Sequence, residues 1–221
     1  MGQEYTRLTE VIPASGISPK IIFHENFEYT RALSISGSGY DFGRRDPRAA
    51  YTGQYGLYLK TLDTQANNWI SAYFHFGSTP ARLVEIIILL RVPGTSGDPD
   101  VFFDFCRNEA GKLEYYSVKY DYSEGNWLYR DKNGNYVGLY APPKQLKIGK
   151  WHRISLVINR VEKKYHQLSV GWSTCDMSAL EACLASGESN VIYSYLQLHL
   201  QNNTTIANEL YVSEILIKPI V

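Results

Sequence analysis

The sequence has no excess charge of either sign, because its 22 Lys and Arg residues balance its 22 Asp and Glu residues. A protein that neutralises the phosphates of a nucleic acid, or that lies on an anionic membrane, usually carries a surplus of basic residues. The strong net charge that keeps many chains disordered is missing as well. The composition therefore argues against a nucleic-acid partner and indicates a neutral, globular chain.

Long apolar runs are also missing. The longest run, Ile86–Leu90, has the length of a β-strand and is far too short to cross a membrane as a helix. The first residues, MGQEYTRLTEV, show no basic stretch followed by an apolar core, so no signal peptide is predicted. The sequence thus predicts no membrane span and leaves the compartment open between the cytoplasm and a trimmed, secreted form.

Cysteine is scarce, and the three cysteines form no Cys-x-x-Cys pair and no Cys/His cluster at zinc-binding spacing. We expect Cys106 to be an inert core residue within an apolar strand. Cys175 and Cys183 flank a short segment, and they either bridge or remain free thiols. The five histidines never fall at a spacing that requires a metal, so no cofactor is predicted from these residues.

Aromatic residues and short strand patterns are abundant instead. The 18 Tyr, 8 Phe and 4 Trp residues suit half-buried sheet surfaces and also surfaces that bind ligands. Strand-like segments bounded by Gly, Pro, Asn or Asp recur from Ile21 onward, with a Gly- and Ser-rich loop over Ser36–Ala50 and one short helix over Met177–Ser186. This pattern predicts an all-β, antiparallel two-sheet jelly-roll sandwich with one short helix, as a single domain over residues 1–221 with residues 1–20 as an N-terminal extension.

Four segments carry a family resemblance: FHENFEY before a Gly-rich loop, GQYGLYLKT after it, GKWHRISLVIN, and ELYVSEILIKP at the end. Their order resembles the concanavalin A-like lectin/glucanase superfamily. The resemblance implies the jelly-roll fold and, as a tendency only, a carbohydrate ligand, since one fold hosts many functions. Such sandwiches sometimes hold a structural calcium ion near the first and last strands, where oxygen ligands here would be Glu25, Asn26, Glu28 and Glu214.

The catalytic patterns of that superfamily are not found. Laminarinase-type members carry two glutamates in an ExDxxE strand, whereas the nearest segment here, DVFFDF, has Asp100 and Asp104 but no glutamate. Alginate-lyase-like members use an Arg-Glu-Arg strand, a Gln-Ile-His strand and a late Tyr/Lys strand. Gln197 and His199 match the second of these with Leu198 between them, and no Arg-rich strand accompanies them.

Alternation along two segments defines the candidate ligand-binding face. Strand periodicity places every second side chain on one side of a sheet. Sugars present apolar C–H patches and hydroxyls, which suit aromatic rings, amides and imidazoles. The predicted face comprises Trp69, Tyr73, His75, Tyr195, Gln197, His199 and Gln201. The alternative is a solvated sheet face in which aromatic cross-strand pairs add only stability.

A second aromatic cluster is predicted along a hairpin with a turn at Ser123–Asn126, where Tyr122 would lie near Trp127 and Tyr120 near Tyr129. It is interpreted either as a ladder that stabilises the hairpin or as an exposed stacking platform.

Three functions remain open. The preferred one is a non-catalytic, lectin-like carbohydrate-binding domain. The others are a structural or assembly protein of a virus, appendage or surface layer, and a polysaccharide lyase or hydrolase with His199 and a tyrosine as proton-transfer groups. The expected partner is a glycan or a second copy of the chain, so a homo-oligomer is possible.

Overall fold

A computed structural model describes residues 21–28, 33–51, 53–76, 80–94, 98–109, 111–187 and 192–220, except for the side chains of residues 41, 42 and 44. The predicted N-terminal extension lies outside these residues. The described chain forms two antiparallel sheets, each with eight strands. The two-sheet sandwich predicted from the sequence is therefore confirmed.

The first sheet, sheet A, has its longest strand near its centre. In spatial order its strands are β13 (Ser173–Asp176), β12 (Lys164–Val170), β11 (His152–Asn159), β6 (Leu83–Arg91), β16 (Glu209–Ile220), β4 (Gly56–Thr61) and β3 (Tyr40–Asp46), with β1 (Phe23–Glu25) also paired to β16. A 3-10 turn, Pro47–Ala49, follows β3.

The second sheet, sheet B, carries the candidate site. In spatial order its strands are β10 (Tyr136–Gly138), β9 (Asn126–Arg130), β8 (Lys112–Asp121), β7 (Pro99–Glu109), β15 (Tyr193–Asn202), β5 (Trp69–Phe76) and β2 (Leu33–Ser38), with β14 (Cys183–Ser186) also paired to β8.

The core between the sheets follows the predicted alternation. Leu196, Leu198 and Leu200 of β15 are buried in the main apolar cluster, as are the alternate residues of β11. The central strand β6 is buried on both faces from Ile86 to Leu90, as its continuous apolar run predicts. Because the inner positions of β15 point into the core, the residues between them form the outer face of sheet B.

The predicted helix over Met177–Ser186 is wrong. Asp176 Oδ1 accepts a hydrogen bond from the Ser178 amide, and the Leu180 amide donates to the Met177 carbonyl, which together close a turn. Glu181 then pairs with Lys164 at the start of β12, the Ala182 amide donates to the Lys163 carbonyl, and Cys183–Ser186 continues as β14. Pairing with distant strands therefore outweighs the local helical pattern.

The predicted loop over Ser36–Ala50 is also wrong in part. The segment forms the end of β2 in sheet B and the whole of β3 in sheet A, and the chain passes between the sheets at Gly39, which has φ 65°. A Cβ atom at Gly37 would lie 2.4 Å from the Trp69 carbonyl oxygen. This glycine therefore allows close approach of two backbones, rather than a flexible loop.

The second aromatic cluster is confirmed as part of the core, but its predicted register is wrong. Tyr120 pairs with Trp127, and Tyr129 pairs with Val118. The turn runs over residues 122–125, because Asp121 Oδ1 accepts hydrogen bonds from two amides of the turn and Gly125 adopts φ 65°. Both paired rings are at most 2% exposed, so they do not form an open platform.

Tyr165 of sheet A fixes the position of sheet B beneath the site. Its buried hydroxyl accepts a hydrogen bond from the Ser117 amide at 2.9 Å and donates to the Arg130 carbonyl oxygen at 2.8 Å. These bonds join the core side of sheet A to the backbones of two adjacent strands, β8 and β9. The position of Ser117 is thus set from the core side.

Candidate functional site

The structure brings the two predicted site segments together as neighbouring strands of sheet B. On β5 and β15, Tyr195 lies opposite His75, Gln197 opposite Tyr73, and Gln201 opposite Trp69. His199 lies opposite Ser71 of β5. All seven predicted residues therefore share the outer face, where His75 is exposed and the other six are partly exposed. Their role as ligand contacts stays a prediction.

The outer face continues from β15 across β7, β8, β9 and β10. The sequence analysis did not predict that this face extends beyond β5 and β15. Phe102 and Asp104 of β7 stand opposite His199 and Gln197, and Ser117 of β8 stands opposite Asp104. The seven predicted residues and nine further outer-face residues of β5, β7, β8, β9 and β10 define what we call the platform. The nine are Ser71, Asp100, Phe102, Asp104, Ser117, Lys119, Asp121, Arg130 and Tyr136. The alternation Asp-Val-Phe-Phe-Asp in β7 was the available signal, because it places Asp100, Phe102 and Asp104 on one side.

A chain of hydrogen bonds fixes the polar side chains of β15. Gln197 Nε2 donates to Ser71 Oγ at 3.0 Å, and Ser71 Oγ lies 2.8 Å from His199 Nδ1. Since the serine oxygen already accepts one proton, its own proton is available for Nδ1, so the Nε2–H tautomer of His199 fits this network. The side chain of Gln201 is bonded to His199 and donates to Asn67 Oδ1 at 3.1 Å.

Burial lowers the pKa of His199 to about 4, although the bond to Gln201 raises it. The imidazole is therefore neutral near pH 7 and serves as a fixed, uncharged element of the platform.

Aromatic rings surround this imidazole on two sides. The Trp69 indole stacks on His199 with the ring centroids 5.3 Å apart, and Phe102 meets it edge-on at 4.7 Å. Phe102 also contacts Tyr136 at 5.5 Å between the ring centroids. The rings therefore run from β5 to β10 across the sheet, and each is held by its neighbour before any ligand arrives.

Asp104 and Tyr136 meet through a shared serine. Ser117 Oγ donates to Asp104 and lies 2.6 Å from the Tyr136 hydroxyl. Desolvation raises the pKa of Asp104 to about 6, although the Ser117 hydrogen bond and the Arg130 charge lower it. Burial likewise raises the pKa of Tyr136. Asp104 is thus a carboxyl group that changes charge close to neutral pH.

Lys119 is the cation at the centre of the platform, and it is already paired. Its Nζ lies 2.8 Å from Asp100 Oδ2 and 3.7 Å from Asp121 Oδ2. The same ammonium lies 5.5 Å from the centre of the Phe102 ring. Because the lysine offsets one of these two carboxylate charges, this part of the platform is polar and carries little net charge.

Asp104→Asn is expected to flatten the dependence of stability on pH between pH 4 and pH 6. A carboxyl group whose pKa is raised on folding stabilises the protein below its unfolded pKa, and this stability is lost as the pH rises through the folded pKa. Above pH 6 the free energy of unfolding of the variant should be about 1–3 kcal/mol higher than that of the wild type. One unit of pKa shift corresponds to about 1.4 kcal/mol, and partial exposure of Asp104 reduces the effect. Urea unfolding from pH 4 to pH 8 measures this, and parallel profiles would contradict it.

The four predicted calcium ligands have other partners. Glu25 Oε1 accepts from the Phe27 amide, and Glu28 Oε1 accepts from the amides of Gln54 and Tyr55. Asn26 Oδ1 accepts from the Glu28 amide, and Glu214 Oε1 lies 2.8 Å from His24 Nε2. Within the described residues, no three His, Cys, Asp or Glu side chains are grouped so that they could hold a metal ion.

The three cysteines are free thiols. Cys106 is buried as predicted, but it lies on the outer face of sheet B opposite Tyr195, rather than in the core. Burial raises its pKa to about 11, so the thiol stays protonated at neutral pH. In the part of the chain that the structure describes, no helix is both long and apolar enough to span a bilayer.

Searches against protein-family models and curated proteins gave no match. Among solved structures, a carbohydrate esterase from the Shiga toxin-encoding bacteriophage phi24B matches with a TM-score of 0.61 at 11% identity, over 92% of this chain and 100% of that one. An endo-β-1,4-glucuronan lyase from the fungus Trichoderma reesei matches with a TM-score of 0.59 at 11% identity, over 91% and 96%.

A structure of carbohydrate-binding modules from the β-sandwich superfamily matches with a TM-score of 0.51 at 12% identity, over 86% of this chain and 59% of that one. A sialidase also matches, and this protein covers only 17% of the length of the sialidase chain. At these identities the likeness is one of fold, and the fold is a jelly-roll sandwich. The fold resemblance inferred from the sequence is therefore confirmed.

Proposed function

We propose that the protein binds a glycan chain along the platform on the outer face of sheet B. The observation that supports this most is the unbroken row of rings from Trp69 through Phe102 to Tyr136, lined by the amide of Gln197 and the carboxyl of Asp104. Aromatic rings suit the apolar faces of sugars, and the neighbouring amide and carboxyl groups suit their hydroxyls.

The shape of the platform favours a polymer over a small molecule. It spans the six neighbouring strands from β5 to β10, and strands lie about 4.8 Å apart, so its width is about 24 Å. Small-molecule sites are usually concave and enclose their ligand. The platform is partly exposed along its whole width, as a chain of several sugar rings would require.

The charges of the platform argue against its use as a contact between copies of this chain. Charged residues are depleted at the centre of protein–protein interfaces, because they lose water there. Here Asp104 and the Lys119–Asp100 pair lie near the centre. The acidic and basic groups nearly balance, which favours a neutral glycan.

Affinity electrophoresis through gels that contain single polysaccharides tests this proposal. We expect retardation by at least one neutral polysaccharide, and we expect Gln197→Ala to weaken it several-fold. Gln167→Ala in sheet A is the matched control, since Gln167 Nε2 also donates to a serine hydroxyl at 3.0 Å but lies far from the platform. Absence of retardation by any polysaccharide would overturn the proposal.

One observation favours a second candidate function, the cleavage of the bound glycan. Asp104 has a pKa of about 6 and shares Ser117 with the Tyr136 hydroxyl, which is an arrangement suited to proton transfer near neutral pH. His199 is the weaker candidate, because both of its ring nitrogens are engaged. The same polysaccharides, assayed for new reducing ends or unsaturated products, decide this: turnover lost in Asp104→Asn supports cleavage, and an inactive wild type excludes it for the panel.

A further inference from the structure

A basic pocket lies at one end of the sandwich, away from the platform. The hairpin of β7 and β8 in sheet B meets the turn between β11 and β12 of sheet A there. The cavity measures about 410 Å³ and is lined by Arg107, Glu109, Lys112, Glu114, Arg160 and Lys163. The four cations exceed the two carboxylates by two charges.

Among the described residues of this pocket, Arg160 has the most buried donors that lack a hydrogen bond, two against one for Arg107. The residue is only 6% exposed, and its Nε and Nη1 atoms form no hydrogen bond among the described residues. Burial and the neighbouring Arg107 lower its pKa, although the charges of Glu114 and Glu109 raise it, and the guanidinium remains a cation at neutral pH. A buried cation whose donors lack hydrogen bonds is costly, so the arrangement favours a further anion.

The carboxylates already present are committed to other cations. Glu109 pairs with Arg107, and Glu114 lies 3.8 Å from Arg107 Nη1 and 3.5 Å from Lys163 Nζ. The Tyr116 hydroxyl also donates to Glu114, at 3.4 Å. These contacts hold Arg107 and Lys163 at the wall of the pocket, and Arg160 lines the same cavity with two guanidinium nitrogens that no described residue satisfies.

We propose that this pocket binds a small oxyanion, whose oxygens accept hydrogen bonds from Arg160 and whose charge is balanced by the neighbouring lysines. Guanidinium groups bind carboxylate, sulfate and phosphate oxygens in a fixed, bidentate geometry. The cavity lies within the range of about 300–1,000 Å³ that is usual for small-molecule sites, so it admits a free anion or the acidic group of a sugar.

Calorimetric titration of the whole chain with sodium sulfate, sodium phosphate and sodium glucuronate, against sodium chloride at equal ionic strength, tests the proposal. We expect saturable binding of at least one of the three anions. Binding of sulfate or phosphate alone identifies a free inorganic anion, whereas tighter binding of glucuronate identifies an acidic sugar. Both results support an oxyanion site, and no saturable binding of any of the three overturns it.

Arg160→Gln is expected to weaken this binding at least tenfold without lowering the thermal midpoint measured in chloride, because the variant loses a buried cation whose donors lack hydrogen bonds. Lys112→Gln serves as a second variant at the exposed rim, where a several-fold loss is expected. Arg153→Gln is the control, since it removes one positive charge from β11 outside the pocket. Equal affinity of Arg160→Gln and wild type would overturn the proposal, and platform variants should leave anion binding unchanged.

Discussion

Trp69→Ala is expected to weaken glycan binding at least tenfold. The indole is partly exposed at the edge of the platform and stacks on His199 at 5.3 Å, so it offers a rigid apolar surface next to fixed hydrogen-bonding groups. Truncation of a tryptophan that is a binding hot spot commonly costs about 2 kcal/mol or more, which exceeds a tenfold change. Titration calorimetry with the polysaccharide retained by the wild type measures the effect.

Trp172→Ala is the matched control for this variant. Trp172 is 97% exposed and lies at the turn between β12 and β13, in sheet A. Exposure alone would make it the better ligand contact, whereas our account assigns it no part in glycan binding. We expect unchanged affinity in Trp172→Ala and similar thermal midpoints in both variants. A loss of binding in Trp172→Ala with full binding in Trp69→Ala would contradict the account.

Trp127→Ala is expected to lower the free energy of unfolding by about 3–5 kcal/mol, the usual cost of deleting a buried tryptophan side chain. The indole is 1% exposed, contacts Tyr120 at 4.9 Å between ring centroids, and donates through Nε1 to the Lys144 carbonyl oxygen at 3.3 Å. Urea unfolding followed by circular dichroism measures the loss without relying on tryptophan fluorescence.

Trp127→Phe should restore more than half of that loss, because the phenyl ring refills most of the cavity. The remainder stays lost because the phenyl ring cannot donate the hydrogen bond to the Lys144 carbonyl oxygen. Trp127 also anchors β9, which carries Arg130 and pairs with β10 at Tyr136. We therefore expect Trp127→Ala to weaken glycan binding at temperatures where β9 and β10 detach. A change in stability below 1 kcal/mol would show that this ring is not part of the core.

The alternation of β5 and β15 could be predicted from the sequence because it is a local, two-residue property of an extended chain. Their pairing could not, since Ser71 and His199 are 128 positions apart and only the packed sandwich sets their register. The same limit explains the helix error: Met177–Ser186 has a helical composition, but its backbone pairs with Lys163 and with β8.

Asp104 illustrates what the sequence shows of a site and what it does not. Its place on the outer side of β7 follows from alternation. Its raised pKa follows from desolvation between neighbouring strands and from Ser117 and Arg130, which lie 13 and 26 positions further along the chain. Local patterns therefore indicate which face a residue occupies, whereas its chemistry depends on strand order.

A crystal structure of the protein with an oligosaccharide from its preferred polysaccharide tests the central claim most directly. Our account predicts sugar rings over Trp69, Phe102 and Tyr136, with hydroxyls bonded to Gln197 and Asp104, and an unchanged backbone in sheet B. An oligosaccharide bound beside Trp172 or in the basic pocket, with the platform bare or covered by a second copy of the chain, would contradict it.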